Sequence, residues 1–407
     1  MTTLAKAREF DAADPLGRFR DEFHLPEGVI YLDGNSLGCL PRATPAAMSR
    51  AIEEEWGEGL IRSWNEAGWF EMGSRVGAKI APLIGAQPHE VIACDTVSAN
   101  LFKLIAAALE MRPGRKVILS EPGNFPTDIY MIQGLERQGL AEQRLAPREE
   151  LLDALDEEVA LLMLTHAHYK TGELFDMAAL TQAAHEAGAL VLWDLSHSTG
   201  ALPVDLNAVH ADFATGCGYK YLCGGPGAPA FAFVAERHLA YLKQPLTGWF
   251  GHARPFAFSD TYEAAPGIEQ LQCGTSPVLG LTALEVGVDL IAQIGVNRLH
   301  AKSQALSEFF LECVVAQGLD LDLVSPNKSG ARGSQLSFRH PEAYAICQAL
   351  IARGVIGDFR DPDILRLGFA PAYLRFEDMA EAARHLTEVI RSGEWEKDAF
   401  RKRAAVT

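Results

Sequence analysis

Residues 159–194 read VALLMLTHAHYKTGELFDMAALTQAAHEAGALVLWD. Two apolar runs, 159–165 and 189–193, flank a helix-patterned segment at 177–187 that stops at Gly188. A glycine just past the last helical residue is a helix-termination signal. Both runs are apolar at successive rather than alternate positions, so neither strand face is prepared for water. Buried strands joined through one helix read as a β–α–β unit, and so as a mostly parallel sheet covered on both faces.

The pattern extends in both directions. Short apolar runs at 117–119, 212–215 and 230–234 are strand-like, and 125–135 is helical. A helix at 99–109 follows Asp95-Thr96-Val97-Ser98, which supplies N-cap candidates. Another helical pattern runs from 45 to about 64, and the first 45 residues read as an irregular arm. A long helical stretch from 278 to about 316 carries the chain into an α+β remainder. That remainder has strands near 334–338 and 364–367 and helices near 341–353 and 377–390. The expected organisation is an arm (1–45), a large domain (46–290) and a small C-terminal domain (291–407) on which the arm can pack.

Composition narrows the function. The chain has 407 residues, 48% hydrophobic and 22% charged, which suits an ordinary globular enzyme. A net charge of −17 disfavours nucleic acid and anionic membrane surfaces as partners. Seven cysteines form no Cys-x-x-Cys pair, so a reduced, cytoplasmic protein without a disulfide framework or zinc ribbon is expected. The start, Met1 to Lys6, soon reaches Arg8, Glu9 and Asp11 and has no secretory pattern. No run of about 18 uncharged apolar residues exists to span a membrane.

In open α/β sheets, ligands bind beyond the carboxyl ends of the strands. Asp194 stands at such an end, and Lys220 follows 26 positions later in the glycine-rich turn 216–227. A strand-end carboxylate that holds a pyridinium nitrogen, with a lysine that joins a carbonyl, is the protein's share of pyridoxal 5′-phosphate (PLP) chemistry. Taken singly, Asp194 reads equally well as a turn cap, and Lys220 reads as a solvated surface lysine; together they favour the cofactor. The helix start at Val97 and Ser98 offers backbone N–H groups to a phosphate, although an ordinary N-cap looks the same. Gly216 and Gly218 begin a dinucleotide-like pattern, but Tyr221 takes its third glycine position. His166 and His168 share a strand side without a third ligand at suitable spacing, so no metal site is expected. His197, three residues after Asp194, is placed to orient that acid.

Four segments carry a resemblance. They are residues 31–38 (YLDGNSLG), 123–128 (GNFPTD), 193–198 (WDLSHS) and 218–222 (GYKYL) with the Gly-Gly-Pro-Gly tail. In order and spacing they resemble the kynureninase family, and the likeness runs from about residue 20 to 395. The resemblance implies the PLP-dependent fold type I: a mostly parallel seven-stranded sheet between helices, plus a small C-terminal α+β domain. It also implies hydrolysis of L-kynurenine, and of its 3-hydroxy derivative, to the anthranilate and L-alanine, as in tryptophan catabolism and NAD biosynthesis.

Residue by residue, the resemblance makes Lys220 the Schiff-base lysine and Asp194 the ring-nitrogen partner, with His197 beside it. Phe125 would stack on the ring, with Pro126, Thr127, Asp128 and Thr165 around it. Val97, Ser98 and Tyr219 would hold the phosphate, and Tyr219 could also assist proton transfer. Trp249 and Thr275 would reach the cofactor from the neighbouring subunit, which implies a homodimer with shared sites. Arg366 would grip the substrate α-carboxylate, for which a planar bidentate donor is suited. Trp64 would face the aryl ring. Some relatives carry Asn at the Thr275 position and His at the Trp64 position, and both bear on the choice of ring. Two other readings stay open on the residues alone. A cysteine desulfurase needs a catalytic cysteine on a mobile loop and usually a His directly before the lysine, where this chain has Tyr219. A PLP-free binding protein on the same scaffold would have no use for Lys220, Asp194 and Arg366 together.

Overall fold

The chain builds its large sheet from strands β1 (Val91–Ala93), β2 (Val117–Ser120), β3 (Glu142–Leu145), β4 (Val159–Thr165), β5 (Leu190–Asp194), β6 (Phe213–Gly216) and β7 (Phe231–Val234). These come from a computed structural model that describes residues 3–403. The spatial order is β1-β7-β6-β5-β4-β2-β3. β7 runs antiparallel to both neighbours, and the pairs from β6 across to β3 are parallel. The mostly parallel seven-stranded sheet implied by the resemblance is therefore present.

The helices used below are α1 (Thr3–Ala13), α2 (Val97–Met111), α3 (Pro126–Glu136), α4 (Met177–Glu186), α5 (Val278–Ile294), α6 (Val296–Ala316), α7 (Ala343–Ala352) and α8 (Phe376–Ser392). Every residue of β4 and β5 is buried. On one face Leu161 and Met163 join Leu101, Leu104 and Ile105 of α2. On the other, Leu162 and Leu164 join Trp193, Phe231 and Phe233. Two covered faces are why these strands lack a polar alternation. Fully burying each such side chain is worth about 1.5–3 kcal/mol, so the sheet is a rigid platform for whatever its carboxyl edge carries.

The smaller sheet consists of β8 (Asp322–Leu323), β9 (Gln335–Arg339), β10 (Asp358–Arg360) and β11 (Ile364–Gly368), in the antiparallel order β8-β9-β11-β10. α6, α7 and α8 lie in the same part of the chain.

Three local expectations are corrected. The single helical stretch at 278–316 is two helices, because Gly295 adopts φ +91° and the axes bend by 78°. Only glycine enters that region of φ freely. The first 45 residues are not wholly irregular: they contain α1 and a 3₁₀ turn, Gly17–Glu22. α1 buries only Ala7 fully, so its sequence carries no apolar stripe. It is held from outside instead. Phe10 packs edge-on against Phe309 and Phe376, and Asp11 accepts the N–H groups of Phe376 and Glu377 at 2.7 and 2.9 Å, capping α8. Finally, the helical segment after residue 44 is not one helix: it runs in pieces to Glu66 and is interrupted at Leu60, whose φ is +54°.

Candidate active site

The carboxyl edge of the sheet gathers the chemistry. Thr165 ends β4 and Asp194 ends β5, and the two are paired in register, with Thr215 of β6 next across. Just beyond them lies a cavity of about 180 Å³ lined by Val97, Ser98, Phe125, Thr127, Thr165, Asp194, His197, Tyr219 and Lys220, among others. Nine expected site residues, drawn from segments more than 120 positions apart, thus meet at one place. Pro126 opens α3 and lines an adjoining wider cavity. Asp128 is fully buried behind Thr165.

Lys220 is 8% exposed, and its Nζ lies 3.0 Å from His197 Nε2. It also stands 5.8 Å from the Phe125 ring and 5.9 Å from the Tyr219 ring. Burial, reinforced by the Lys220 charge, pushes His197 well below the usual imidazole range. The imidazole is therefore neutral, accepts from Lys220 at Nε2 and carries its proton on Nδ1, which is buried without a partner.

Asp194 is 2% exposed. Oδ1 accepts the Ser196 N–H at 2.6 Å, and among the described residues the carboxylate has no ion pair within 4 Å. Burial raises its carboxyl above the ordinary range, with Ser196 and Lys220 opposing. Behind it, Thr165 Oγ1 lies 2.6 Å from Asn124 Oδ1 and 3.0 Å from Asp128 Oδ2. Asn124 Oδ1 can only accept, so the single hydroxyl proton goes there. Asp128 must then donate to Thr165, and is the protonated acid. Burial, and after it the Asp194 charge, push Asp128 in that direction.

At the other end of the cavity, the Thr96 hydroxyl caps α2 by accepting the Ala99 N–H at 3.2 Å. The amides of Val97 and Ser98 are left to face a ligand. A phosphate at a helix start, a cationic ring nitrogen against an unpaired buried carboxylate and a carbonyl near an amine are what these residues fit. PLP carries all three groups, and the site suits it.

Four expected residues, Trp64, Trp249, Thr275 and Arg366, do not line this cavity within one chain. Trp64 packs edge-on against Trp69 and Phe250, Trp249 is 42% exposed beside Phe250 and Phe256, and Thr275 is exposed. Arg366 lies in β11, buried against Asp358 and Ser36. Sequence reading did not single out Tyr169, Ser196 and Cys217 in the lining, nor Asp358 and Arg360 beside Arg366. Tyr169 and Ser196 follow strand ends, and that position was the available signal. Asp358 and Arg360 gave no sign before the β10–β11 pairing was known.

Fold and site together define a PLP-dependent enzyme of fold type I. The same fold occurs in an apo cysteine desulfurase from Thermococcus onnurineus NA1, with a TM-score of 0.79 and 17% identity, covering 92% of this chain and 98% of that one. It also occurs in a C-DES variant with glycine covalently linked to its PLP cofactor, with a TM-score of 0.80 and 17% identity, covering 90% of this chain and 98% of that one. At such identities the likeness carries the fold alone. The family model for the kynureninase C-terminal domain matches residues 299–386. Kynureninase of Burkholderia mallei (strain SAVP1) is 50% identical over 416 residues, covering 100% of both chains. That of Pseudomonas fluorescens is 48% identical, again over 100% of both. The chain belongs to the kynureninase family.

Proposed function

We propose that this protein is a PLP-dependent hydrolase that cleaves the Cβ–Cγ bond of L-kynurenine to give anthranilate and L-alanine. The carrying observation is full-length identity of 50% to a kynureninase. The convergence of Lys220, Asp194, His197 and the α2 start on one cavity supports it.

Bound there, the cofactor supplies an electron-withdrawing ring that stabilises negative charge at the substrate α-carbon. The rest falls to the chain. Asp194 would hold the proton on the ring nitrogen, where a buried carboxylate gains most from a cation. Lys220 would hold the cofactor through its amine and would serve as base for the α-proton. Neutral His197, 3.0 Å from Lys220 Nζ, can accept a hydrogen bond from that amine and orient it. Burial keeps the Tyr219 phenol protonated far above neutral pH. It can therefore donate to a phosphate, or to Cβ after water has added at the γ-carbonyl and the Cβ–Cγ bond has broken. Phe125 would flank the ring, and Val97 and Ser98 would hold the phosphate.

The reading extends to a cytoplasmic homodimer with shared sites, serving tryptophan catabolism. Seven free cysteines suit a reducing compartment. Trp249 and Thr275 would complete the neighbour's cavity. The surface around Trp249 exposes Phe256 (64%) and Phe258 (79%), an apolar patch of the kind that marks association. Trp64 lies in the same aromatic group and would meet the substrate's aryl ring. Mixing the purified holoenzyme with L-kynurenine tests the function through anthranilate fluorescence. Release of anthranilate and alanine in equal amounts supports it; folded, cofactor-loaded protein that yields neither defeats it.

A further inference from the structure

Lys103 is a cation on α2, six residues past Val97, and its side chain is 0% exposed. Its ammonium has three N–H groups and three partners: Asp95 Oδ2 at 2.7 Å, the Leu271 carbonyl at 2.7 Å and Cys94 Sγ at 3.6 Å. A buried ion pair is a poor route to stability alone, since apolar side chains of similar volume often serve as well or better.

Asp95 is held just as firmly. Its backbone sits at φ +50°, a region that residues other than glycine rarely enter. Its carbonyl accepts the Ala230 N–H at 3.0 Å, and its Oδ1 lies 3.4 Å from the Cys273 thiol. Such strain persists only where surrounding bonds over-determine it, and it gathers at functional sites. The functional neighbour is the start of α2, where Thr96 caps the helix and Val97 and Ser98 offer their amides.

The far ends of these bonds are fixed too. Leu271 is fully buried and closes the 3₁₀ turn Gly267–Leu271. No β-carbon fits at Gly248 against the Cys273 carbonyl, and one at Gly251 would lie 2.6 Å from the Gln272 carbonyl oxygen. Residues 272–273 are therefore packed backbone to backbone with the turn that carries Trp249.

We propose that Lys103 and Asp95 are positioning residues of the cofactor-phosphate site. Lys103 clamps the bend before α2 against the 271–273 segment, and so fixes where the Val97 and Ser98 amides point. It also neutralises Asp95, whose carboxylate, two residues before Val97, would otherwise oppose a phosphate. Neither side chain lines the Lys220 cavity, so both act through the helix start.

The inference rests on the Val97–Ser98 phosphate site of the function proposed above. The test titrates PLP, and separately pyridoxal, which lacks the phosphate, onto full-length wild type, K103M and D95N/K103M freed of cofactor. Absorbance gives both affinities, and thermal melting reports the fold. K103M leaves Asp95 unpaired and should weaken PLP by about 10- to 30-fold, with pyridoxal changed by under about threefold. D95N/K103M leaves no unpaired charge, so it should melt close to wild type and still bind PLP about 10-fold less tightly. Should K103M fold poorly, the double variant decides. Equal losses for PLP and pyridoxal, wild-type PLP affinity in the double variant, or a double variant that does not fold makes the pair structural and overturns the proposal. Wild type that binds PLP yet leaves L-kynurenine intact defeats the function and leaves this inference standing.

Discussion

Gly38→Ala tests how the arm and the lysine turn are held together. Gly38 donates its N–H to the Tyr219 carbonyl at 2.8 Å. A β-carbon there would lie 2.2 Å from the Lys220 carbonyl oxygen, 2.8 Å from Cys223 Sγ and 2.9 Å from Cys223 Cα. Ordinary contact begins at 3.4 Å, so arm and turn must part by 1.2 Å, the difference between 3.4 and 2.2 Å. Two of the three obstructing atoms are backbone, and one belongs to Lys220 itself. Overpacking of this kind costs about 1–3 kcal/mol. A misplacement of about 1 Å at a reacting group costs on the order of 100-fold in rate. Gly134→Ala is the control: it lies within α3, and its β-carbon would meet nothing within 4 Å. That substitution should stabilise by about 0.5–1 kcal/mol through helix propensity. The measurements are kcat/KM by anthranilate release, thermal melting and cofactor absorbance. G38A should lose about 100-fold in kcat/KM with a lower melting temperature. If G38A stays within about threefold of wild type, under ~0.7 kcal/mol, the arm does not position Lys220 and the reasoning fails.

Asp194→Asn should lose turnover by about 100-fold or more and bind cofactor less tightly, because the amide cannot hold a ring cation. Asp128→Asn should cost under about 1 kcal/mol, since the native acid already donates to Thr165 and an amide N–H can do the same; equal damage from both variants would show that Asp128 is ionised. Glu121 is 5% exposed, and burial pushes its carboxyl from 4.5 to about 7 against the pull of Arg148. A carboxyl raised in the folded state contributes stability below pH 4.5 that is lost as pH rises through about 7, which at ~1.4 kcal/mol per unit amounts to about 3.5 kcal/mol at most. Denaturant unfolding should therefore show wild type weakening between pH 5 and pH 8 relative to Glu121→Gln, and parallel pH profiles would exclude that role.

Periodicity alone located β4, whose bounds match the run 159–165, and the helices α2, α3 and α4, within a residue or two. It missed β1 and β3 for different reasons. β1 is three residues long, too short to show a pattern. β3 reads Glu-Gln-Arg-Leu at the sheet edge, with neither end buried. Its membership comes from pairing with β2 rather than from its own side chains.

The strand-end acid, the lysine turn and the helix start are legible along the chain without any fold. Each is a local signal: an apolar run that ends in Asp194, glycines around Lys220, and Thr96 before a helix. These gave the cofactor and, through the Asp33–Gly38 and Tyr219–Leu222 segments, the family. Tertiary structure alone decided the charge states and the partners. Asp128 is an acid and His197 is neutral because burial removes the water that would have kept them ordinary. Asp358 closes a fork onto Arg366 because β10 pairs with β11 in one register. Which acid an arginine meets depends on what lies across the strand, and a linear sequence does not carry that contact.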